Sequence, residues 1–116
     1  MSTASQIPFQ PLGPSSLIVA DNPAPTPVQV SVDAMQTGVG QYRIVNNSAE
    51  TVFLGVGATA AQAAARAAAI VAGTPADTIV LVPGAVEVLR FNNNAFFTGF
   101  SSTGAADVYV TPGQGI

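Results

Sequence analysis

Thr51-Val-Phe-Leu-Gly-Val-Gly57 runs directly into Ala58-Thr-Ala-Ala-Gln-Ala-Ala-Ala-Arg-Ala-Ala-Ala-Ile-Val-Ala72, which is closed by Gly73-Thr74-Pro75. A β-like run meets an alanine block, and that junction decides how the rest of the chain is read. Alanine has the highest helix propensity. Thr59 can cap the first turn, and Gln62, three residues on, can reach back to complete a capping box. Gly73 supplies a left-handed stop and Pro75 a breaker. The expectation is a helix at about 59–72, with Gln62 and Arg66 four apart on its solvent side. Alanine brings little apolar area, so such a helix depends on the surface it lies against. It carries no chemistry.

Both flanks of this helix read as short β segments. Val28–Asp33 alternates strictly, with valines on one face. Gly38 and Gly40 make a turn before Gln41–Asn46, whose Tyr42 and Ile44 share one face while Arg43 and Val45 share the other. Asn47-Ser48-Ala49-Glu50 is a connection, and Thr51–Val56 reads as the partner strand of a hairpin. Beyond the helix, Asp77–Pro83 is an apolar run of strand length. Pro83-Gly84 turns it into Ala85–Phe91, where Val86, Val88 and Arg90 alternate with Glu87, Leu89 and Phe91. After the Asn92-Asn93-Asn94 turn, Ala95–Ser101 holds the aromatic cluster Phe96, Phe97 and Phe100. Ala106–Thr111 is the last strand, stopped by Pro112-Gly113. Seven or eight short, evenly spaced strands with one helical excursion predict a mainly β fold: an antiparallel β-sandwich, jelly-roll-like, with one short Ala-rich helix inserted.

The first 27 residues differ in character. They hold Pro8, Pro11, Pro14, Pro23, Pro25 and Pro27, and repeated prolines fix φ and remove donors. The domain division that follows is an extended arm at 1–27 and a β-sandwich at 28–116. Only Ser16–Ala20 can pair as a strand within the arm. Its apolar residues Ile7, Phe9, Leu12, Leu17 and Ile18, with Val19, exceed what a solvated tail needs. An arm docked on a neighbouring subunit explains them; a disordered tail is the plain alternative.

Composition excludes several functions. Charged residues are 8% of the chain, with no lysine and only Arg43, Arg66 and Arg90 as cations, against about 25% charge in ordinary soluble domains. Three scattered arginines are no phosphate-binding surface, so nucleic acid is not an expected partner. A net charge of −3 with 48% hydrophobic residues predicts wide neutral surface that partners cover; a compact monomer coated in Ser, Thr, Asn, Gln and Gly is the competing reading. Neither cysteine nor histidine is present, which removes disulfides, thiolate nucleophiles and the commonest transition-metal ligands. The N-terminal residues show no basic segment followed by an apolar one. The longest apolar-rich stretch, the alanine helix, is too short to span a bilayer. The expectation is a non-membrane protein made in the cytoplasm, without cofactor or metal and without enzymatic activity.

Four motifs invite chemistry and are weighed against simpler roles. Gly55-Val56-Gly57-Ala58-Thr59-Ala60 matches a dinucleotide-binding fingerprint. However, hairpin-like strands precede it, and Asp77 comes before the next strand instead of ending it; a tight turn into the helix accounts for the glycines. Asp77 and Glu87 flank the expected hairpin and could pair as acid and base in glycoside hydrolysis, yet solvent-facing strand positions explain them as well. Asp21, Asp33 and Asp107 are isolated, unlike the ligands of a calcium loop. Asn46-Asn47-Ser48 is a glycosylation acceptor in a secreted protein only. Arg43 and Arg90, both inside strands, can pair with Glu50 or Glu87, within the fold or across an interface.

Gln41-Tyr-Arg-Ile-Val-Asn46, the alanine-rich insert at 58–72, Val86-Glu-Val-Leu-Arg90 and Val108-Tyr-Val-Thr-Pro-Gly113 together resemble small virion structural proteins of tailed bacteriophages, in particular capsid decoration (cement) proteins. The resemblance spans most of residues 28–113 and rests on strands and turns. It implies a β-sandwich that binds the outside of an assembled capsid and reinforces it. The implied partners are the major capsid protein and further copies of itself, as dimer or trimer, on the virion surface. It implies no catalytic residue. A ligand-binding β-sandwich module, such as a carbohydrate- or receptor-binding virion component, is the alternative.

Overall fold

A computed structural model describes residues 9–31, 40–71 and 78–114. The chain is mainly β, with nine strands and one helix among the described residues: β1 (Gln10–Pro11), β2 (Ser16–Ala20), β3 (Val28–Gln29), β4 (Gln41–Asn46), β5 (Val52–Gly57), α1 (Ala60–Val71), β6 (Thr78–Leu81), β7 (Val86–Arg90), β8 (Phe96–Phe100) and β9 (Ala106–Gln114). They form two antiparallel sheets. One has the order β1-β9-β4-β7, with β2 also paired to β9 beside β1; the other has the order β3-β8-β5-β6.

Alternation sets the core. Tyr42, Ile44, Val108, Val110 and Ile18 of the first sheet meet Val52, Leu54, Val56, Leu81 and Phe97 of the second in one buried cluster. The Tyr42 and Phe97 rings touch edge to face at 5.0 Å, with Phe91 close to both. The expected strand 41–46 stands where it was placed, and the expected 85–91 is one residue shorter at each end, Val86–Arg90. Thr51–Val56 is displaced by a residue, the aromatic run 95–101 is trimmed by one at each end, and Val28–Asp33 survives as Val28–Gln29 plus the Val30 N–H bonded to the Ala95 carbonyl. Asp33 and Gly38 lie outside the described residues.

Three expectations are corrected. β4 and β5 are not a hairpin, and neither are β6 and β7, because each pair sits in opposite sheets. A short connection between alternating runs serves a corner as well as a hairpin. At Pro83-Gly84 the turn closes with the Ala85 N–H on the Val82 carbonyl and Gly84 at φ 79°. This left-handed angle suits glycine in the third position of a tight turn.

β9 does not stop at Pro112. It continues to Gln114 because Pro112 falls in the gap between β1 and β2, where position 112 has no ladder partner on that flank. Its carbonyl still accepts from the Leu12 N–H.

The division at 27/28 dissolves as well. β1 and β2 pair along β9, and the chain after β2 bridges to β8 through the Asp21 N–H on the Gly99 carbonyl and the Ser101 N–H on the Asp21 carbonyl. The segment from 9 to 27 is part of the fold.

The helix lies where its cap predicts. The Gln62 N–H donates to Thr59 Oγ1, and Gln62 Oε1 accepts from the Ala58 N–H, one residue before the position a strict capping box would use. Gln62 is exposed, but Arg66 is not simply solvated: its guanidinium donates to the Val56 carbonyl at 2.5 Å. Gly55 and Gly57 let the helix approach. A Cβ on Gly55 would stand 2.5 Å from the Ala63 carbonyl oxygen, and one on Gly57 2.5 Å from Gln62 Cβ. The glycines therefore serve contact between helix and sheet, and the fingerprint reading loses its parallel sheet as well.

Candidate interaction surface

The five residues assigned to a docking arm have different fates. Ile7 lies outside the described residues. Phe9 is half-buried, with its ring over Gly113. Leu12 and Ile18 are buried in the chain's own fold, where each contributes about 2 kcal/mol by burial. Peeling them out for a partner would cost that much again. Only Leu17 is open, 47% exposed. The reason for reserving these residues for a partner is thus removed for Leu12 and Ile18 and kept for Leu17.

Strand register shows what Leu17 belongs to. Leu17 stands opposite Tyr109, Tyr109 opposite Val45, and Val45 opposite Val86. These four side chains form one row across β2, β9, β4 and β7 on the outer face of the first sheet. Tyr109 is 38% exposed and Val86 50% exposed, while Val45 between them is half-buried. Directly opposed residues on one face have Cβ atoms about 5 Å apart, so the row is a continuous apolar strip. Towards one end of the strands the next row is Thr111, Arg43 and Val88, and beyond it Gln41 stands opposite Arg90. Towards the other end lies Asp107, opposite Val19. Two of the chain's three cations therefore point out of this face, with an acid across the strip from them.

Among the described residues neither Arg43 nor Arg90 forms an ion pair with Glu50 or Glu87. Glu50 instead accepts from the Thr103 hydroxyl. Glu87 shares the inward side of β7 with Leu89 yet stays exposed at the sheet edge. A charge placed there hinders edge-to-edge pairing. The second sheet has its own exposed apolar residues at the same flank, Val80 and Val82, beside the β6–β7 corner.

Among the described residues the candidate acids do not come together. Asp77 and Asp33 are outside the described residues, Glu87 and Asp107 stand on opposite faces of the first sheet, and no group of three potential metal ligands occurs among the described residues. Asn46 is no glycan acceptor in the folded chain, being fully buried. Its amide nitrogen donates to the carbonyls of Glu50, Leu81 and Val82 at 2.8, 3.0 and 3.1 Å, and its oxygen accepts from the Ser48 hydroxyl. It ties the end of β4 to the β6–β7 corner. The sequence motif pointed at a surface site where the structure has an internal clamp.

Among the described residues burial shifts one titratable group, Tyr42. The Tyr42 hydroxyl donates to the Asn92 carbonyl at 2.6 Å and accepts from the Ala95 N–H at 3.0 Å. Desolvation raises its pKa above the usual phenol value, more than the backbone hydrogen bonds lower it. That tyrosine holds the β7–β8 corner. The outer strip Leu17–Tyr109–Val45–Val86 is an exposed apolar row that no contact within the described fold covers. No family model, no curated protein and no solved structure matches this chain.

Proposed function

We propose that this chain is a non-enzymatic structural protein of a tailed-phage virion, a jelly-roll β-sandwich that docks on the outer surface of the capsid and reinforces it. The observation that carries the assembly reading is the in-register apolar strip on the outer face of the first sheet, in a chain with 8% charged residues. An apolar face of that continuity is what a partner-covered surface presents. Support for the jelly roll comes from strand order. With β1 counted as an extension of the β2 edge, the sheets read 2-9-4-7 and 3-8-5-6. Successive strands then alternate between sheets everywhere except at the helical excursion from β5 to β6. Eight strands in two such sheets is the architecture shared by viral capsid and lectin domains. The capsid assignment itself comes from the resemblance of the strand and turn motifs.

The mechanism is burial of neutral surface repeated over a symmetric shell. Each contact is modest, and simultaneous contacts by linked copies raise the overall affinity. The test is co-sedimentation of the purified chain with assembled shells of the phage that carries it, made without this chain. Saturable binding at a fixed ratio to capsid subunits is expected, with shells that resist heating to a higher temperature when loaded. A chain left wholly in the supernatant overturns the capsid assignment.

A further inference from the structure

We infer that the outer face of the first sheet is covered by a second copy of this chain, packed face to face about a two-fold axis that runs along the row Leu17–Tyr109–Val45–Val86. The inference rests on the assembly reading above and names the partner of that face. Its basis is the pattern of charge around the strip. Asp107 lies on one side of the row; Arg43 lies on the other, one strand over. A two-fold axis along the row leaves each strand above its own copy and exchanges the two sides. Asp107 of one chain then stands over Thr111 of the second. Arg43, directly opposite Thr111 in the sheet, is about one strand spacing, 4.8 Å, to the side. With sheets stacked about 10 Å apart, the arginine side chain spans the gap. Two Arg43–Asp107 pairs form, related by symmetry, as an isologous interface requires.

The alternative two-fold, along the strands, keeps each row over itself. It sets Asp107 against the second copy's Asp107 row and Arg43 against its Arg43 row. Like charges placed together disfavour it. The charge layout thus selects one of the two simple face-to-face arrangements. It also gives Arg43 and Asp107 oppositely charged partners, where among the described residues neither forms an ion pair. The strip supplies the apolar centre, with Tyr109 near its middle, and the charges supply register. The face measures roughly 15–20 Å on a side, smaller than a stable interface needs, which predicts a weak, concentration-dependent dimer.

The experiment is a charge-reversal cycle read by sedimentation equilibrium on the full chain, from about 1 µM to about 1 mM, the range in which a small interface dissociates. The wild type is expected to pass from monomer to dimer. Asp107→Arg and Arg43→Asp each weaken dimerisation by about tenfold or more, and the doubly reversed chain recovers most of the loss, as a direct charge pair does in a double-mutant cycle. Both positions are exposed, and a melting curve for each variant checks that the fold is intact. Adding salt weakens the wild-type dimer.

Single reversals that dimerise like the wild type, or a doubly reversed chain no better than either single one, overturn the arrangement. A wild type that stays monomeric to the top of the range overturns it too, and if that monomer still loads capsid shells the assembly reading stands. A dimer that follows the cycle but ignores shells confirms the interface and removes the capsid assignment.

Discussion

Replacing Asn46 by alanine removes a side chain that joins the end of β4 to the Glu50 connection and the β6–β7 corner. Its amide nitrogen carries two N–H groups shared among the carbonyls of Glu50, Leu81 and Val82, and its oxygen receives the Ser48 hydroxyl. A net hydrogen bond is worth about 1 kcal/mol, and a buried carbonyl left without a donor costs about 1–3 kcal/mol. The Leu81 carbonyl is the most deeply enclosed of the three and carries most of that penalty. The expected loss is about 3 kcal/mol. With an unfolding entropy near 2.1 cal/mol/K per residue, a chain of this length should melt roughly 12 °C lower.

Asn46→Asp sharpens the test, because a carboxylate would turn an oxygen towards three carbonyls. At neutral pH this variant should be less stable than Asn46→Ala. Its carboxyl pKa should be raised in the folded state above the unfolded value of about 3.9. The stabilising protonated form is therefore fully present below pH ~3.9 and is lost as pH rises through the higher folded value. Melting followed by circular dichroism from pH 3 to 8 measures both effects. An Asn46→Ala chain that melts within about 3 °C of wild type would refute the clamp, given the roughly 4 °C expected per kcal/mol. So would an Asn46→Asp chain whose deficit ignores pH.

Two further substitutions probe the other junctions. Gly55→Val places a side chain against the Ala63 carbonyl oxygen and the Ala67 backbone nitrogen, 2.5 and 2.8 Å from the first added carbon. The helix must lift away, at a cost of about 3 kcal/mol or more, seen as lost signal at 222 nm and a lower melting point; an unchanged spectrum and melting point contradict the packing. Tyr42→Phe gives up the bonds to the Asn92 carbonyl and the Ala95 N–H and should cost about 1–2 kcal/mol in denaturant titrations. Because burial raises the Tyr42 pKa, its neutral form belongs to the folded state. That contribution is intact below the unfolded value near 10 and disappears as pH rises through the folded one, so wild type should lose stability above pH 10 by a step that Tyr42→Phe lacks.

The local periods were legible in the sequence because they depend on neighbours along the chain. Alternation at 41–46 set Tyr42 and Ile44 against Arg43 and Val45, alternation at 85–91 set Leu89 against Val88, and each strand obeys it. The alanine block, with Thr59 and Gln62 at its start, marked the helix to within a residue at either end. The absence of His and Cys removed thiolate and imidazole groups from the chain's chemistry.

What only the tertiary structure decided is which strands are neighbours. A corner between sheets and a hairpin within one use the same short turn sequences, so Asn47–Glu50 and Pro83-Gly84 were read as hairpins when both cross the core. Proline-rich composition hid the pairing of β1 and β2 with β9, because Leu12 and Ile18 pair with residues 100 and 90 positions away in the chain. The strip Leu17–Tyr109–Val45–Val86 has no signature in the sequence at all. It draws one residue from each of four strands, and register alone lines them up. Side-chain period is a local property of the backbone, whereas register is set by which faces bury each other, and that is decided only when the two sheets close on one core.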